Sequence, residues 1–133
     1  MKKQKNIITS EDVRHEALRY LENAADILKT KGNQEFNFYM DKKYVKMASH
    51  TAYTGVLFAL DHALKLPKKS RNTEQEYVKA LSAQNRKMMI HFDRVYHIFH
   101  LSGGYDGNGD KRTLEAGFDA ANELIAWCAN KIS

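Results

Sequence analysis

The chain has 133 residues, a length typical of one domain, and a formal net charge of +5 at pH 7. Hydrophobic residues make up 43% of it and charged residues 28%, which are the proportions of a globular protein and exclude a disordered or membrane-embedded chain. The excess of positive charge is compatible with nucleic acid, acidic lipid or an acidic protein as a partner, but it requires none of them.

Neither a membrane span nor a secretory signal is predicted. No window approaches the roughly 20 apolar residues of a membrane span, and the N-terminal stretch MKKQKNIIT lacks the apolar stretch of a signal peptide. The single cysteine, Cys128, cannot form an internal disulfide, which fits a reducing compartment. We therefore expect a cytoplasmic protein without a membrane partner, and no motif indicates a cofactor.

The first predicted helix covers about residues 9–31. Thr9 or Ser10 can accept hydrogen bonds from the first free backbone amides, and Gly32 is expected to close the helix in the left-handed conformation. Apolar residues recur at steps of three and four, which predicts one buried face. Its members are Ala17, Tyr20, Leu21, Ala24, Ala25 and Leu28.

The second predicted helix covers about residues 41–66 and is expected to end before Pro67. Its apolar line includes Met47 and several small residues, which predict that a neighbouring helix approaches closely. The small residues are Ala48, Ala52, Gly55 and Ala59.

The third predicted helix runs without a break over about residues 74–101, and the fourth over about 110–132. Thr73 and Glu76 form a capping box before the third helix, and Asn85 lies within its apolar stripe, where a buried amide needs a hydrogen-bond partner. Gly103 and Gly104 are expected to end it, and Asp110 to cap the fourth helix. No strand pattern competes, so four long helices with short connections predict an all-α antiparallel four-helix bundle.

Three segments carry a resemblance to known families. DKKYVKMASHTAYTGVLFALDHALKL resembles the central helix of the HEPN superfamily, and EALRYLENAADILKTKG is similar to its opening helix. YHIFHLSGGYDGNGDKRTLEAGFDAANELIAWC resembles a narrower set of uncharacterised Bacteroidetes proteins, classed as a domain of unknown function. The resemblance implies a HEPN-like bundle that serves as a non-enzymatic binding or interaction module. We expect a homodimer, with a protein such as a nucleotidyltransferase, RNA or a nucleotide as a candidate partner.

An alternative function follows from the arginine–histidine motif of HEPN ribonucleases. RKMMIH matches it formally at Arg86 and His91, a pair that would stabilise phosphate charge and transfer a ribose proton without a metal. Five residues on a straight helix rotate by about 500°, which leaves the two side chains about 140° apart. A catalytic pair would therefore require Arg86 of one copy and His91 of another across a dimer interface.

A second alternative is a metal-binding bundle. Steps of four and three place Asp93, His97 and His100 on one face of the third predicted helix, and one carboxylate with two imidazoles suits a transition metal. The simpler interpretation is that Asp93 pairs with His97 across one turn while His100 lies near the negative helix end.

Four basic residues surround the connection between the second and third helices, and a phosphate backbone can dock at such a cluster. No aromatic residue is interleaved for base stacking, so a solvated loop is the other interpretation. The residues are Lys65, Lys68, Lys69 and Arg71.

Overall fold

The structure is a computed structural model that describes residues 8–66 and 72–132. The described residues form five α-helices, one π-helix and one short hairpin. In chain order they are α1 (Ser10–Lys31), β1 (Gln34–Glu35), β2 (Phe38–Tyr39), α2 (Lys42–Leu64), α3 (Glu74–Gln84), α4 (Arg86–Val95), the π-helix (Tyr96–Gly103) and α5 (Lys111–Ile132). None of these helices is long and apolar enough to cross a membrane.

α1 begins and ends close to the predicted positions. The Asp12 amide donates to Thr9 Oγ1 at 3.0 Å, and the Thr9 amide donates to the Asp12 carboxylate at 3.2 Å, which completes a capping box. The expectation for Gly32 is wrong, because Gly32 has a right-handed conformation at φ −72° and the left-handed residue is Asn33 at φ 56°. Gly32 is instead packed closely, since a Cβ there would lie 2.6 Å from Tyr39 Cδ1.

The link from α1 to α2 contains a two-stranded antiparallel hairpin, which the sequence analysis did not predict. Gln34 pairs with Tyr39 and Glu35 pairs with Phe38. The hairpin is tied to the start of α5, because the Tyr39 amide donates to the Gly109 carbonyl at 2.9 Å. Strands of two residues are too short to leave an alternating pattern in the sequence.

α2 lies between α1, α5 and the π-helix. A Cβ at Gly55 would lie 2.6 Å from Tyr20 Cβ, so the small residues of α2 do allow α1 to approach closely. Two residues placed on apolar faces by periodicity are exposed, namely Ala25 on α1 and Met47 on α2. Pro67, the predicted stop signal, lies outside the described residues.

The predicted third helix is divided into α3, α4 and the π-helix. Asn85 interrupts it with an extended backbone at φ −161° and ψ 102°, and its side chain accepts a hydrogen bond from the Met88 amide at 3.1 Å. Asn85 thus ends α3 and caps α4. An unbroken apolar stripe predicts one helix, but asparagine competes for backbone hydrogen bonds and favours caps over helix interiors.

The π-helix follows α4 directly and ends at Gly103. Gly103 packs against α2, where the Ser49 side chain is buried and its hydroxyl has no hydrogen-bond partner among the described residues. A Cβ at Gly103 would collide with Ser49 Oγ and lie 3.0 Å from Ser49 Cβ. The α2–π-helix contact therefore requires glycine at this position.

α5 starts after Asp110, whose carboxylate accepts hydrogen bonds from the Thr113 hydroxyl at 2.6 Å and the Thr113 amide at 3.3 Å. It packs on α1, α2 and α4 and closes a common hydrophobic core. The largest fully buried side chains of this core are Phe92, Phe99, Leu60, Leu81, Leu114, Leu124 and Ile125.

Replacing Asn85 tests the division of the third helix. Asn85→Ala removes the cap of α4, and we expect it to lower the free energy of unfolding by about 1 kcal/mol. Urea unfolding followed by circular dichroism measures this change, with Gln84→Ala, an exposed neighbour at the end of α3, as the control. Equal effects of the two substitutions would contradict the capping role.

Replacing Gly103 tests the close approach of the π-helix to α2. Gly103→Ala forces a Cβ against Ser49 and should lower the free energy of unfolding by about 1–3 kcal/mol. Ser49→Ala should be neutral or stabilising, because it removes a buried hydroxyl that finds no hydrogen-bond partner in the part of the chain that the structure describes. The double variant should recover part of the loss in the same urea measurement, and full additivity of the two changes would show that the side chains do not meet.

Candidate functional site

A cluster of aromatic rings and imidazoles lies where α2 meets the π-helix. α2 contributes His50 and Tyr53, the π-helix contributes Tyr96 and His100, and Tyr105 follows in the next turn. We call these five residues the tyrosine–histidine surface. π-helical turns are rare and often occur at functional sites, so this surface is the first candidate for binding.

The ring of His100 is at the centre of the surface. Its centroid lies 5.0 Å from that of Tyr96, with ring planes only 22° apart, and 5.2 Å from that of Tyr53. Tyr105 meets it from a third side at 5.5 Å in an edge-to-face arrangement. These distances lie within the range in which aromatic rings attract one another, so the rings hold each other in defined orientations.

The local backbone explains why these side chains meet. A π-helix closes hydrogen bonds over five residues, so its turn is wider than that of an α-helix. At its end the Asp106 amide donates to the Leu101 carbonyl at 3.0 Å, which turns the chain and brings Tyr105 back over His100. The close contact of Gly103 with Ser49 sets the distance between the π-helix and α2.

The electrostatics of the surface favour a neutral His100. Burial lowers the pKa of His100 below its ordinary value of 6.5, and the neighbouring His50 lowers it further. The Nδ1 atom of His100 is inaccessible and has no hydrogen-bond partner among the described residues. Burial also raises the pKa of Tyr53. At neutral pH the centre of the surface is therefore uncharged.

The rim of the surface is mixed in character. Tyr105 has 68% of its side chain exposed, and Met47 on α2 has 44% exposed. Lys46 lies one turn before His50, and its side chain passes close to Gly107 in the loop that follows Tyr105. An uncharged aromatic centre beside a lysine suits a ligand that combines a flat ring with a negatively charged group.

The structure does not bring Asp93, His97 and His100 together as a metal group. His97 Nδ1 lies 3.4 Å from Asp93 Oδ1 and 2.9 Å from the Asp93 carbonyl oxygen, whereas His100 packs among the tyrosines. The π-helix begins at Tyr96, so a step of three residues from His97 no longer repeats the face of α4. Within residues 8–66 and 72–132, no three His, Cys, Asp or Glu side chains are placed to hold a metal ion.

Arg86 and His91 lie on the uninterrupted helix α4. Arg86 is exposed in the first turn, while both ring nitrogens of His91 are inaccessible and unpaired among the described residues. Because α4 is a regular helix over this stretch, the separation of about 140° between them stands. The catalytic pair formed by Arg86 of one copy and His91 of another therefore stays a prediction.

The basic connection is described only at Lys65. Lys65 is exposed and has a left-handed backbone at φ 54° directly after α2. Lys68, Lys69 and Arg71 lie outside the described residues, so the phosphate-docking hypothesis stays a prediction.

Motifs and periodicity did not identify Tyr53, Tyr96 and Tyr105 as site residues. Tyr53 lies between the small residues of α2, and the two others flank the histidines of YHIFHLSGGY. The signal available in the sequence was the aromatic flank of this glycine-rich connection. Tyr96 and His100 are four residues apart, and side chains at that spacing are neighbours on a helix. The wider turn and the position of α2 were needed to show that all three tyrosines meet one imidazole.

The pH dependence of stability tests the environment of His100. Because the folded state lowers the pKa of His100, the unfolded chain binds a proton more readily. The neutral imidazole therefore contributes stability that is present above about pH 6.5 and is lost as pH falls from there through the folded-state pKa. Urea unfolding at several pH values measures this loss.

The matched variants for this measurement are His100→Gln and His97→Gln. His100→Gln should flatten the fall in unfolding free energy between neutral and mildly acidic pH, while His97→Gln, which replaces an exposed histidine one turn away, should retain most of it. An unchanged slope in His100→Gln would show that another group titrates.

Comparison with known proteins places the chain in a family. A domain of unknown function, DUF5618, matches residues 12–130. A solved structure of a protein of unknown function from Dyadobacter fermentans is similar at 45% sequence identity and a TM-score of 0.88, and the match covers 92% of this chain and 98% of that one. No curated protein matches the sequence. The similar structure comes from a Bacteroidetes species, as the narrower resemblance predicted. Because the family model spans nearly the whole chain, this protein belongs to the DUF5618 family.

Proposed function

We propose that this chain is a non-enzymatic helical binding module of HEPN-like four-helix architecture. It acts as a cytoplasmic homodimer and binds RNA or a nucleotide through the tyrosine–histidine surface. The observation that carries the proposal is the set of three tyrosines around His100, with Tyr105 68% exposed at its edge. Aromatic side chains beside a basic group bind nucleic-acid bases by stacking, without strong sequence preference.

The state of the reactive groups supports binding more than catalysis. Burial raises the pKa of the Cys128 thiol to about 12, so the thiol stays protonated at neutral pH and is a poor nucleophile. The ring nitrogens of His91 are closed off from solvent, whereas a general acid or base must reach its substrate within hydrogen-bond distance.

Lys46 supplies a charge that a nucleotide would need. The end of its aliphatic stem, at Cε, lies close to Gly107, two residues after Tyr105 in the loop that follows the π-helix. One phosphate contact of this kind gives a modest dependence of affinity on salt, since each neutralised phosphate releases about one counterion.

Binding of a labelled single-stranded RNA oligonucleotide tests the proposal. Tyr105→Ala removes the exposed ring and should weaken binding by about 5- to 100-fold, the range found when a base-stacking aromatic residue is removed. Fluorescence anisotropy at low salt measures the dissociation constant. Ile90→Ala is the control, because Ile90 is also an exposed large apolar residue but lies on α4, outside both the tyrosine–histidine surface and the hairpin.

Two results would contradict the proposal. The first is an oligonucleotide affinity that Tyr105→Ala leaves unchanged, or the absence of saturable binding by the wild-type chain. The second is cleavage of mixed RNA by the wild-type chain that disappears in the double variant Arg86→Ala, His91→Ala, which would establish the ribonuclease instead.

A further inference from the structure

The hairpin between α1 and α2 carries a phenyl ring into solvent. Phe36 is 96% exposed and occupies the first position of the two-residue turn between β1 and β2, at φ 56°. Glycine or asparagine is the usual residue at such a position, because a side chain there disfavours the left-handed backbone. An exposed ring on a disfavoured backbone adds nothing to the stability of a single chain.

The two faces of the hairpin differ. Residues that pair across an antiparallel hairpin lie on the same face, so Glu35 shares a face with Phe38, and Gln34 shares the other with Tyr39. Tyr39 is packed against Gly32 and the start of α5, while Phe38 is 46% exposed. Phe38 and Glu35 therefore share the outer face of the hairpin.

A cavity of about 190 Å³ lies beside the hairpin, between α1 and α5. Apolar lining comes from Leu28, Tyr39, Leu114 and Phe118, and Lys111 and Glu115 also border it. An apolar protein cavity of roughly 150 Å³ accepts benzene. The cavity is therefore large enough for the ring of one phenylalanine.

The exposed ring and the cavity belong to one patch of the surface. The Lys111 amide donates to the Asn37 carbonyl at 2.9 Å, so the turn that carries Phe36 is bonded to a residue that lines the cavity. Phe36 does not fill the cavity of its own chain, since its side chain is almost fully exposed. A patch that carries both a protruding ring and an adjacent cavity can be self-complementary about a twofold axis.

Charge and size both fit a second copy of the chain. Glu35 lies next to Phe36 and Lys111 next to the cavity, and neither side chain forms an ion pair within the described residues. The two Phe36 rings would bury about 300–500 Å² at the usual 150–250 Å² per aromatic side chain, and the two Phe38 rings, each only 46% exposed, would add less. That area is below the range of stable specific interfaces, so the dimer should be weak and should dissociate on dilution.

We propose that two copies of this chain associate through their hairpins, with the Phe36 ring of each copy in the cavity of the other. Glu35 of each copy then faces Lys111 of the second copy. The inference rests on the homodimer of the proposed function and identifies the surface that forms it.

Sedimentation equilibrium of the full chain, from low micromolar to submillimolar concentration, tests this interface. The wild-type chain should show a concentration-dependent monomer–dimer equilibrium, and Phe36→Gly should raise its dissociation constant by at least about a hundredfold. Glycine suits the left-handed turn, so the melting temperature of the dilute variant should not fall below that of the wild-type chain. Tyr105→Ala, which removes an exposed ring elsewhere, should leave the equilibrium unchanged.

Charge reversal and cavity filling give a second set of variants. Glu35→Lys and Lys111→Glu should each weaken the dimer about tenfold, and the double variant should restore it because the pair is reversed in both copies. Ala25→Phe, at an exposed position of α1 that lines the cavity, should weaken the dimer by occupying the space.

The outcomes separate this inference from the homodimer itself. A wild-type chain that stays monomeric at the highest concentration would overturn both the hairpin interface and the homodimer. A dimer that persists in Phe36→Gly, or a double charge variant that fails to associate, would overturn the hairpin interface and leave the homodimer to another surface. None of these three results would bear on RNA binding at Tyr105.

Discussion

α2 lies close to α1 and to the π-helix, and small residues at these contacts make the approach possible. On one side Gly55 lies against Tyr20 of α1, and on another Ser49 meets Gly103 of the π-helix. At each contact a single added methyl group would collide with the neighbour. Protein interiors are close-packed and yield little to extra volume, so these contacts determine where α1 and the π-helix lie. The tyrosine–histidine surface depends on the second of them, because Tyr53 of α2 must reach His100.

The run from α3 to the π-helix shows how an interruption can serve a binding surface. Asn85 breaks the run early, so that α4 starts with its own cap, and the π-helix widens the last turns before the loop. Without the wider turn, His97 and His100 would share a face of one α-helix. With it, His97 stays beside Asp93 while His100 turns towards α2. The same change removes the arrangement that suggested a metal ligand set and creates the aromatic cluster.

Two surfaces carry the features that a single chain does not need for its stability. The tyrosine–histidine surface lies along α2 and the π-helix, and the hairpin patch lies over α1 and α5. The left-handed Phe36 costs stability, and so does the hydroxyl of Ser49, which has no hydrogen-bond partner within residues 8–66 and 72–132. Local features of this kind, which a well-packed fold otherwise avoids, are concentrated near binding sites. The two surfaces share no residue, so a substitution can be directed at one of them alone.

The sequence determined where three of the helices begin. Thr9 and Thr73 cap α1 and α3 as their side chains predicted, and Asp110 caps α5, because capping depends only on residues three positions apart. The apolar periodicity also identified most of the core. It could not show that Asn85 would leave the helix, since a cap and a buried amide within a stripe look alike in a sequence. The hairpin, the π-helix and the meeting of Tyr53, Tyr96 and Tyr105 around His100 were decided only by the tertiary structure. They depend on the distances between α2, the π-helix and the start of α5, and such distances are set by packing between residues far apart in the chain.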